Sequence, residues 1–354
     1  MTGAKFDELE LIRWIVEKSP KSSHNLSLSG LSEPNFNEMG VETLPRDQFE
    51  VNRRAEEMFL GALEEVYGLP RSNVILTTGG SEAIFLLSLL AWKRNQKIGV
   101  RNPEYQPLFK VPANLGLQVR PSHSLDGLKE MAGKGYSIFL SNPNNPVGTL
   151  LKKDDIEDMV SQSSGKSFVY VDEAFLEFKF QKNPDSVFFQ DDHLIINGSM
   201  TKFYGFSNYR VGWIAGSREN IEEIGRIRTT TGISNPKYPL WIAAQALLNR
   251  SRFQERALKI IPANRQALRE FIESSDIFSW DYPSASSYAL INYDLQQGSV
   301  DLCSDILDKT GVLLSPGVYF GKEHSFRICI TPEPGAFLEG LEKLRSYFSG
   351  FRKA

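Results

Sequence analysis

One stretch of the chain reads Asn197-Gly198-Ser199-Met200-Thr201-Lys202-Phe203-Tyr204-Gly205-Phe206-Ser207-Asn208-Tyr209-Arg210-Val211-Gly212-Trp213. It follows the apolar run Leu194–Ile196, which favours a β-strand. A lone lysine in a loop is usually a hydrated surface charge, but the aromatic residues after Lys202 favour a partly buried position. Because burial lowers the pKa of a lysine and makes its amine nucleophilic, the stretch predicts an amine that can form a Schiff base.

Short runs of strand-forming residues alternate with helical stretches on both sides of Lys202. This alternation is typical of βαβ units and predicts an α/β fold with a mostly parallel central sheet. We expect a helix at 5–18, irregular chain at 19–45 and a long helix after Asp47. From about residue 237 the pattern indicates a second, smaller α+β domain that closes with a helix at about 336–348. The expected strands are Val74–Leu76, Ile98–Val100, Tyr136–Leu140, Phe168–Val171, Leu194–Ile196, Val211–Ala215, Tyr288–Ile291 and Phe326–Ile330.

The composition excludes several classes of protein. The 354 residues are 41% apolar and 23% charged, as in ordinary globular proteins, and 40 Lys and Arg balance 43 Asp and Glu, so we expect no nucleic-acid partner. An apolar signal core and a run of about 18 apolar residues are both absent, so we expect neither secretion nor a membrane span. The two cysteines, Cys303 and Cys329, show no metal spacing. They favour a reducing, cytoplasmic setting and no metal site.

A glycine turn precedes the apolar helix expected at Ile84–Trp92, in the segment Thr77-Thr78-Gly79-Gly80-Ser81-Glu82-Ala83. Two adjacent glycines let the backbone approach a ligand closely. The new helix points free N–H groups and the positive end of its dipole outward, which suits a phosphate. A plain tight turn between strand and helix is equally compatible with the pattern.

Two further segments place polar residues at the ends of expected strands. Asn145 lies in the proline-rich segment 141–149, and Asp172 lies in Val169-Tyr170-Val171-Asp172-Glu173-Ala174-Phe175. Because ligands in open α/β sheets bind at the carboxyl edge of the strands, both side chains are candidates for a site. A simple proline-rich loop at Asn145, and a helix N-cap or metal ligand at Asp172, remain alternatives.

Together these segments resemble the class I and II aminotransferases, fold-type-I enzymes that use pyridoxal 5′-phosphate (PLP). The resemblance covers about Asn73 to Ile330 and is strongest in Ser199-x-x-Lys202, with Arg210 and then Val-Gly following. The order of glycine turn, Asn-Pro-x-Gly, Asp, Lys and Arg is the order in that family. The resemblance implies the aspartate-aminotransferase fold, with a large PLP-binding domain at 45–250 and a small domain formed by both termini, 1–44 and 251–354.

The resemblance also implies roles for individual residues. Lys202 would form the aldimine with PLP and act as general acid and base, and Asp172 would keep the pyridine nitrogen protonated. Arg327 would clamp the substrate α-carboxylate, a task that suits a planar guanidinium, and Asn145 would also lie on the substrate side. The other cofactor contacts would be Asn145 at the ring hydroxylate, Tyr105 stacked on the ring, and Gly80, Ser81, Ser199 and Arg210 at the phosphate.

The chain departs from the family pattern at several positions. Phe175 stands where the family usually has a tyrosine that bonds the ring oxygen, and 43–47 lacks the tyrosine that usually reaches the phosphate from the partner subunit. The run Gly311–Gly317 looks most like the histidinol-phosphate aminotransferase branch. In that branch, however, Arg and Asn usually occupy the positions of Ser315 and Ser287.

We therefore predict a transaminase that moves an amino group between an L-amino acid and a 2-keto acid. A histidinol-phosphate aminotransferase and a threonine-phosphate decarboxylase-like enzyme remain alternatives. A nucleotide-binding α/β protein without PLP would need a GxGxxG turn with an acidic residue about 20 positions later, which the sequence lacks. A catalytically silent copy would need neither Lys202 nor Asp172. Because the family's active site lies at a dimer interface, we expect a homodimer.

Overall fold

The computed structural model describes residues 6–45, 47–182, 184–283 and 285–351. Its helices are α1 (Glu10–Lys18), α2 (Gln48–Tyr67), α3 (Gly80–Lys93), α4 (Gln106–Asn114), α5 (Leu125–Gly133), α6 (Lys153–Gln162), α7 (Arg218–Arg228), α8 (Lys237–Leu248), α9 (Arg250–Glu273), α10 (Ser299–Thr310) and α11 (Pro334–Phe348). Its strands are β1 (His24–Asn25), β2 (Val74–Thr77), β3 (Ile98–Arg101), β4 (Val119–Ser122), β5 (Ser137–Ser141), β6 (Val169–Asp172), β7 (Leu194–Ser199), β8 (Gly212–Gly216), β9 (Phe278–Ser279), β10 (Tyr288–Tyr293), β11 (Val312–Leu313), β12 (Ser315–Pro316) and β13 (Ser325–Cys329). None of these helices is apolar over a stretch long enough to cross a membrane.

A seven-stranded sheet forms the centre of the molecule, with the strand order β2-β8-β7-β6-β5-β3-β4. Strand β8 runs antiparallel to both of its neighbours, and the other pairings are parallel. Every residue of β5, β6 and β7 is buried, as expected for strands that have helices on both faces of the sheet. The prediction of an α/β fold with a mostly parallel central sheet is therefore confirmed.

The expected strands and helices are present, with shifts of a few residues at their ends. The long helix begins after Asp47, whose carboxylate caps it by accepting hydrogen bonds from the N–H groups of Phe49 and Glu50. The helix expected at 5–18 begins at Glu10, and Lys5 lies outside the described residues. Strand β4 was missed because it lies at the edge of the sheet, where half of its residues are exposed and the apolar pattern is absent.

A smaller four-stranded antiparallel sheet, β12-β13-β10-β9, is built from the C-terminal part of the chain. The N-terminal strand β1 pairs in parallel with β11, so the two ends of the chain meet on this side of the molecule. This pairing supports a division that we propose, with a large domain at 45–250 and a small domain from 1–44 and 251–354. Residues 1–5, Arg46, Asn183, Ser284 and 352–354 of these segments lie outside the described residues.

A buried carboxylate, Glu177, connects distant parts of the chain. It forms an ion pair with Arg250 at 2.6 Å, with both side chains more than nine-tenths buried. It also accepts hydrogen bonds from the hydroxyl groups of Tyr67, at 2.7 Å, and Tyr204, at 2.9 Å. Burial raises the pKa of both phenols well above its usual value, so they remain protonated donors. The carboxylate thereby ties the ends of α2 and α9 to the loop that follows Lys202.

Replacing Glu177 by Gln should lower the free energy of unfolding by about 3–5 kcal/mol, because the change leaves the Arg250 charge buried without its partner. Chemical denaturation followed by circular dichroism measures the change. Arg218→Ala, which removes a solvent-exposed ion pair with Glu222, is the control and should unfold at nearly the denaturant concentration of the unmodified chain. An equally small change for Glu177→Gln would contradict the importance of this buried pair.

Candidate active site

A cavity of about 360 Å³ lies where β5, β6 and β7 end, and its volume is in the range of small-molecule sites. Parallel strands bring their carboxyl ends to one edge of a sheet, and this edge is where α/β proteins bind ligands. Eight of the nine residues predicted from the sequence line the cavity: Gly80, Ser81, Tyr105, Asn145, Asp172, Ser199, Lys202 and Arg210. The ninth, Arg327, contacts the lining residue Asn145.

Lys202 follows β7, and its amine reaches the cavity. Its Nζ donates a hydrogen bond to Ser29 Oγ at 3.3 Å and lies 5.6 Å from the centre of the Phe175 ring. Protein atoms surround the amine closely, although the side chain keeps some exposure to the cavity. Burial, reinforced by the positive charge of Arg327, lowers the pKa of the amine to about 8. The sequence-based prediction of a partly buried lysine is confirmed.

Asp172 is the last residue of β6 and lies beside Asn197 of β7, its partner in the sheet. Burial raises the pKa of the carboxyl to about 6, while the Ala174 N–H and the Asn197 amide lower it. The Ala174 N–H donates to Asp172 Oδ1 at 3.1 Å. The Nδ2 group of Asn197 has no hydrogen-bond partner among the described residues. It therefore lowers the pKa of Asp172 through the dipole of the amide. The hydroxyl of Tyr170 donates to Asn197 Oδ1 at 2.8 Å and fixes the orientation of the amide.

The loop that carries Asn145 is held in place by Glu104, a fully buried carboxylate. Glu104 accepts hydrogen bonds from the Ser141 N–H at 3.1 Å and from Asn144 Nδ2 at 3.2 Å. The Ser141 hydroxyl in turn accepts from the backbone N–H of Asn145 at 2.8 Å. Burial raises the pKa of Glu104 to about 7, and the nearby Arg101 guanidinium opposes the shift. The position of Asn145 therefore depends on residues outside the cavity.

Arg327 lies in β13 and is only 2% exposed. Its Nη1 donates to Asn145 Oδ1 at 2.9 Å, and its Nη2 donates to the carbonyl of Ser27 at 2.9 Å. The face of its guanidinium packs on Phe320, with 4.8 Å between the guanidinium carbon and the ring centre. These contacts use two of the guanidinium's N–H donors and fix its plane, which suits recognition of a carboxylate.

The part of the lining around the start of α3 suits an anion. Helix α3 begins at Gly80, so the unpaired N–H groups of its first turn face the cavity beside Ser81. Arg210 donates from Nη2 to the carbonyl of Thr78 at 3.1 Å, which places its charge at this helix end. Gly79 has a φ of 87°, a backbone conformation that favours glycine, and a Cβ there would lie 2.8 Å from Arg210 Nη2 and would displace this guanidinium.

The N-terminal segment contributes a wall of the cavity that the sequence interpretation missed. Residues 19–45 were expected to be irregular chain, and most of them are, but Asn25, Leu28, Ser29, Gly30, Leu31 and Ser32 line the cavity. Thr331 and Pro332, which follow β13, lie in the same lining. The position of a segment without regular structure is decided by long-range contacts, so no local pattern could have indicated this wall.

The described residues contain no group of three or more His, Cys, Asp or Glu side chains that could hold a metal ion. The alternative of a metal ligand at Asp172 therefore has no support in this part of the chain. The helix N-cap alternative is wrong, because the next helical turn begins after Phe175, which occupies its N-cap position. The Asp172 carboxylate instead accepts from the N–H of Ala174 and faces the cavity.

Residues 50–344 match the model of the family "aminotransferase class I and II", which is most of the chain. The chain belongs to this family. A histidinol-phosphate aminotransferase from Buchnera aphidicola subsp. Schlechtendalia chinensis is 25% identical over 73% of this chain and 74% of that protein. Capreomycidine synthase from Streptomyces vinaceus is 24% identical over 96% of this chain and 94% of that protein.

Solved structures share the fold at low sequence identity. The crystal structure of a PLP-dependent aminotransferase from Streptococcus suis 89-1591 matches with a TM-score of 0.83 and 21% identity, over 99% of this chain and 100% of that chain. The likeness confirms the predicted aspartate-aminotransferase fold. The family membership confirms the predicted class of enzyme, a transaminase, and the predicted cofactor, PLP.

The amine of Lys202 should become reactive at a lower pH than an ordinary lysine. Because its pKa is lowered from 10.5 to about 8, half of the amine is neutral, and therefore nucleophilic, near pH 8. Trace labelling of the PLP-free full chain with acetic anhydride across pH 6–11, followed by mass spectrometry of the Lys202 peptide, measures the midpoint. Lysine peptides from the exposed surface in the same digest are the internal reference. A Lys202 midpoint at or above pH 10 would contradict the burial argument.

Proposed function

We propose that the chain is a transaminase in which Lys202 holds PLP and which exchanges the amino group of a neutral L-amino acid with a 2-keto acid. The observation that carries this proposal is the convergence of a buried amine, a buried carboxylate and an anion-binding helix end on one cavity. These groups correspond to the reactive aldehyde, the pyridine nitrogen and the phosphate of PLP. The family membership supports the same conclusion independently.

The donors at the start of α3 fit the phosphate of PLP. Gly80 and Ser81 offer the first N–H groups of the helix, and Arg210 adds a charge-assisted donor. The hydroxyls of Ser199 and Thr201 lie 3.0 Å apart beside them and complete a set of donors for a doubly charged anion. We assign the phosphate to this end of the cavity.

Asp172 and Tyr105 fit the pyridine ring. Among the described residues, Asp172 accepts one backbone N–H bond, so its carboxylate keeps acceptor capacity for a protonated ring nitrogen, and that cation would favour the charged form of Asp172. Tyr105 offers an aromatic face in the same lining, and Asn145 offers an amide near the carboxylate site. Phe175 contributes a ring but no hydroxyl, so the bond that a tyrosine usually makes to the ring oxygen does not come from this position.

When bound, PLP supplies an aldehyde carbon that takes up amines and a pyridinium ring that accepts electrons. Lys202 would provide the amine that anchors it, and its lowered pKa gives the amine a far larger neutral fraction near neutral pH than an ordinary lysine has. The same Nζ would be placed to move the proton at the substrate Cα. Asp172 would keep the ring nitrogen protonated.

The substrate is recognised by its α-carboxylate and by the absence of a further charge. Arg327 and Asn145 form the carboxylate site. The wall made by residues 25, 28–32, 331 and 332 contains no charged side chain, so it suits a neutral substrate side chain. Burying an unpaired ammonium or a second anion against it would be costly.

A phosphorylated substrate is the second candidate, because a similar protein is named histidinol-phosphate aminotransferase. Ser315 counts against it. The residue is fully buried beside Arg327 in the small sheet, and among the described residues its hydroxyl has no hydrogen-bond partner. A serine hydroxyl supplies no positive charge for a substrate phosphate, so an ordinary amino acid is favoured.

We also propose a cytoplasmic homodimer. Both cysteines, Cys303 and Cys329, are buried free thiols, which suits a reducing compartment. Leu44, Phe49 and Ile233 expose 81%, 75% and 95% of their surface around the ends of the packed helices α2 and α8. Apolar side chains left in water at one side of a molecule are typical of a protein interface.

The attachment of the cofactor provides the first test. Borohydride treatment of the PLP-loaded enzyme should fix the cofactor covalently on Lys202, because Lys202 is the one lysine among the described residues that lines the cavity. Peptide mapping by mass spectrometry identifies the modified residue, and Lys202→Ala is the control that should show no fixed cofactor. Modification of another lysine would overturn the assignment.

Substrate preference provides the second test. Ordinary neutral L-amino acids should convert the cofactor to its amino form about 10–150-fold faster than histidinol phosphate does. This factor corresponds to the loss of one charge-assisted hydrogen bond, about 1.5–3 kcal/mol.

Arg327→Ala should raise the KM for amino acids far more than it weakens PLP binding, and Arg327→Lys should lower the KM again only in part. Stopped-flow absorbance of each half-reaction measures both effects. Histidinol phosphate as the fastest substrate would show that the Ser315 argument is wrong, and carbon dioxide release from threonine phosphate would favour the decarboxylase alternative.

A further inference from the structure

Residues 26–31, here named the strap, cross the cavity between the small sheet and Lys202. Three successive carbonyl groups of the strap accept hydrogen bonds from the C-terminal part of the chain. Leu26 accepts from the Cys329 N–H at 2.8 Å and Leu28 from Thr331 Oγ1 at 2.7 Å, and the Ser27 carbonyl accepts from Arg327 as described above. The strap is therefore a fixed part of the small sheet, although it has no regular secondary structure.

The far end of the strap is fastened to the backbone of Lys202. The Leu31 N–H donates to the Lys202 carbonyl at 2.8 Å. Gly30 packs against the preceding peptide so closely that a Cβ there would lie 2.9 Å from the Thr201 carbonyl oxygen. Between these anchors, the carbonyl of Ser29 accepts a hydrogen bond from Ser287 Oγ at 2.8 Å. The backbone of Ser29 is thus held on both sides.

Ser29 is only 6% exposed, and its hydroxyl is the group that accepts a hydrogen bond from Lys202 Nζ. Among the described residues, this is the hydrogen bond that the amine makes, and its other close neighbour is the ring of Phe175. We propose that Ser29 is a positioning residue for the catalytic amine, holding Lys202 Nζ toward the cavity from the side of the carboxylate-binding Arg327. This inference rests on the proposed function of Lys202.

The chemistry of the contact sets the direction of its effect. A hydroxyl oxygen accepts more strongly from an ammonium than it interacts with a neutral amine, so Ser29 favours the charged form of Lys202. The other charged or titratable groups that act on the amine are Arg327, Cys329, Asp172 and Arg210. A substitution at Ser29 leaves all four in place, so a change in the amine's titration reports on the hydroxyl itself.

The position of Ser29 also links two parts of the proposed site. Arg327 holds the strap at Ser27, two residues before the hydroxyl that contacts Lys202. Ser287, which stands where the histidinol-phosphate aminotransferase branch usually has Asn, fastens the Ser29 carbonyl. The strap therefore sets the distance between the carboxylate site and the amine.

The test is the titration of Lys202 in Ser29→Ala. In the PLP-free full chain, trace labelling with acetic anhydride should show the Lys202 midpoint about 0.5–1 pH unit lower than in the unmodified chain, a 3–10-fold change in the ionisation constant at about 1.4 kcal/mol per unit. Ser29→Thr, which keeps a hydroxyl, should restore the midpoint. Ser32→Ala is the matched control, because the Ser32 hydroxyl accepts from Arg256 at 2.7 Å instead, and it should leave the midpoint unchanged.

The outcomes are distinguishable. A Ser29→Ala chain that folds, as judged by circular dichroism, and titrates like the unmodified chain would overturn the proposal for Ser29. If Ser29→Ala fails to fold, Ser29→Cys replaces it, and its weaker acceptor should lower the midpoint by a smaller amount; no shift there would also count against the proposal. Borohydride fixation on a lysine other than Lys202 would overturn the proposed function instead, whatever the titration shows.

Discussion

Three charged groups, Lys202, Asp172 and Arg327, lie at or beside one small cavity, and the cost of removing their charges from water is the constraint on which the surrounding structure depends. Burial disfavours the charged forms of Lys202 and Asp172, which is why the pKa of Lys202 is lowered and that of Asp172 is raised. The chain offsets part of this cost with a few fixed polar contacts. The Lys202 amine thereby remains close to the point of changing its protonation state, which acid and base catalysis requires.

Some of the residues that support these contacts lie outside the cavity lining. Glu104 organises the loop that presents Asn145, and Tyr170 orients the amide of Asn197 beside Asp172. Such supporting contacts hold reactive groups in position before a ligand arrives, so little reorganisation is needed during a reaction. The fully buried strands β5, β6 and β7 supply the rigid base on which this arrangement rests.

Proteins with different names are similar in sequence to large parts of this chain. A histidinol-phosphate aminotransferase and a capreomycidine synthase are similar to this chain at comparable identity, so the common core does not decide the substrate. In this chain the residues that differ from the usual family pattern, Phe175, Ser287 and Ser315, lie around the amine, the strap and the carboxylate site.

The sequence by itself determined the alternation of strands and helices and eight of the residues that line the cavity, including Lys202, Asp172 and Arg210. These residues stand at fixed offsets from strand ends, and local patterns of apolar and glycine residues mark those ends. The tertiary structure alone decided that the strap of residues 26–31 lies over Lys202, that Asn197 supports Asp172, and that Arg327 bonds Asn145. Contacts between residues so far apart depend on the packing of the two sheets, and hydrogen bonds of irregular chain leave no periodic signal in the sequence.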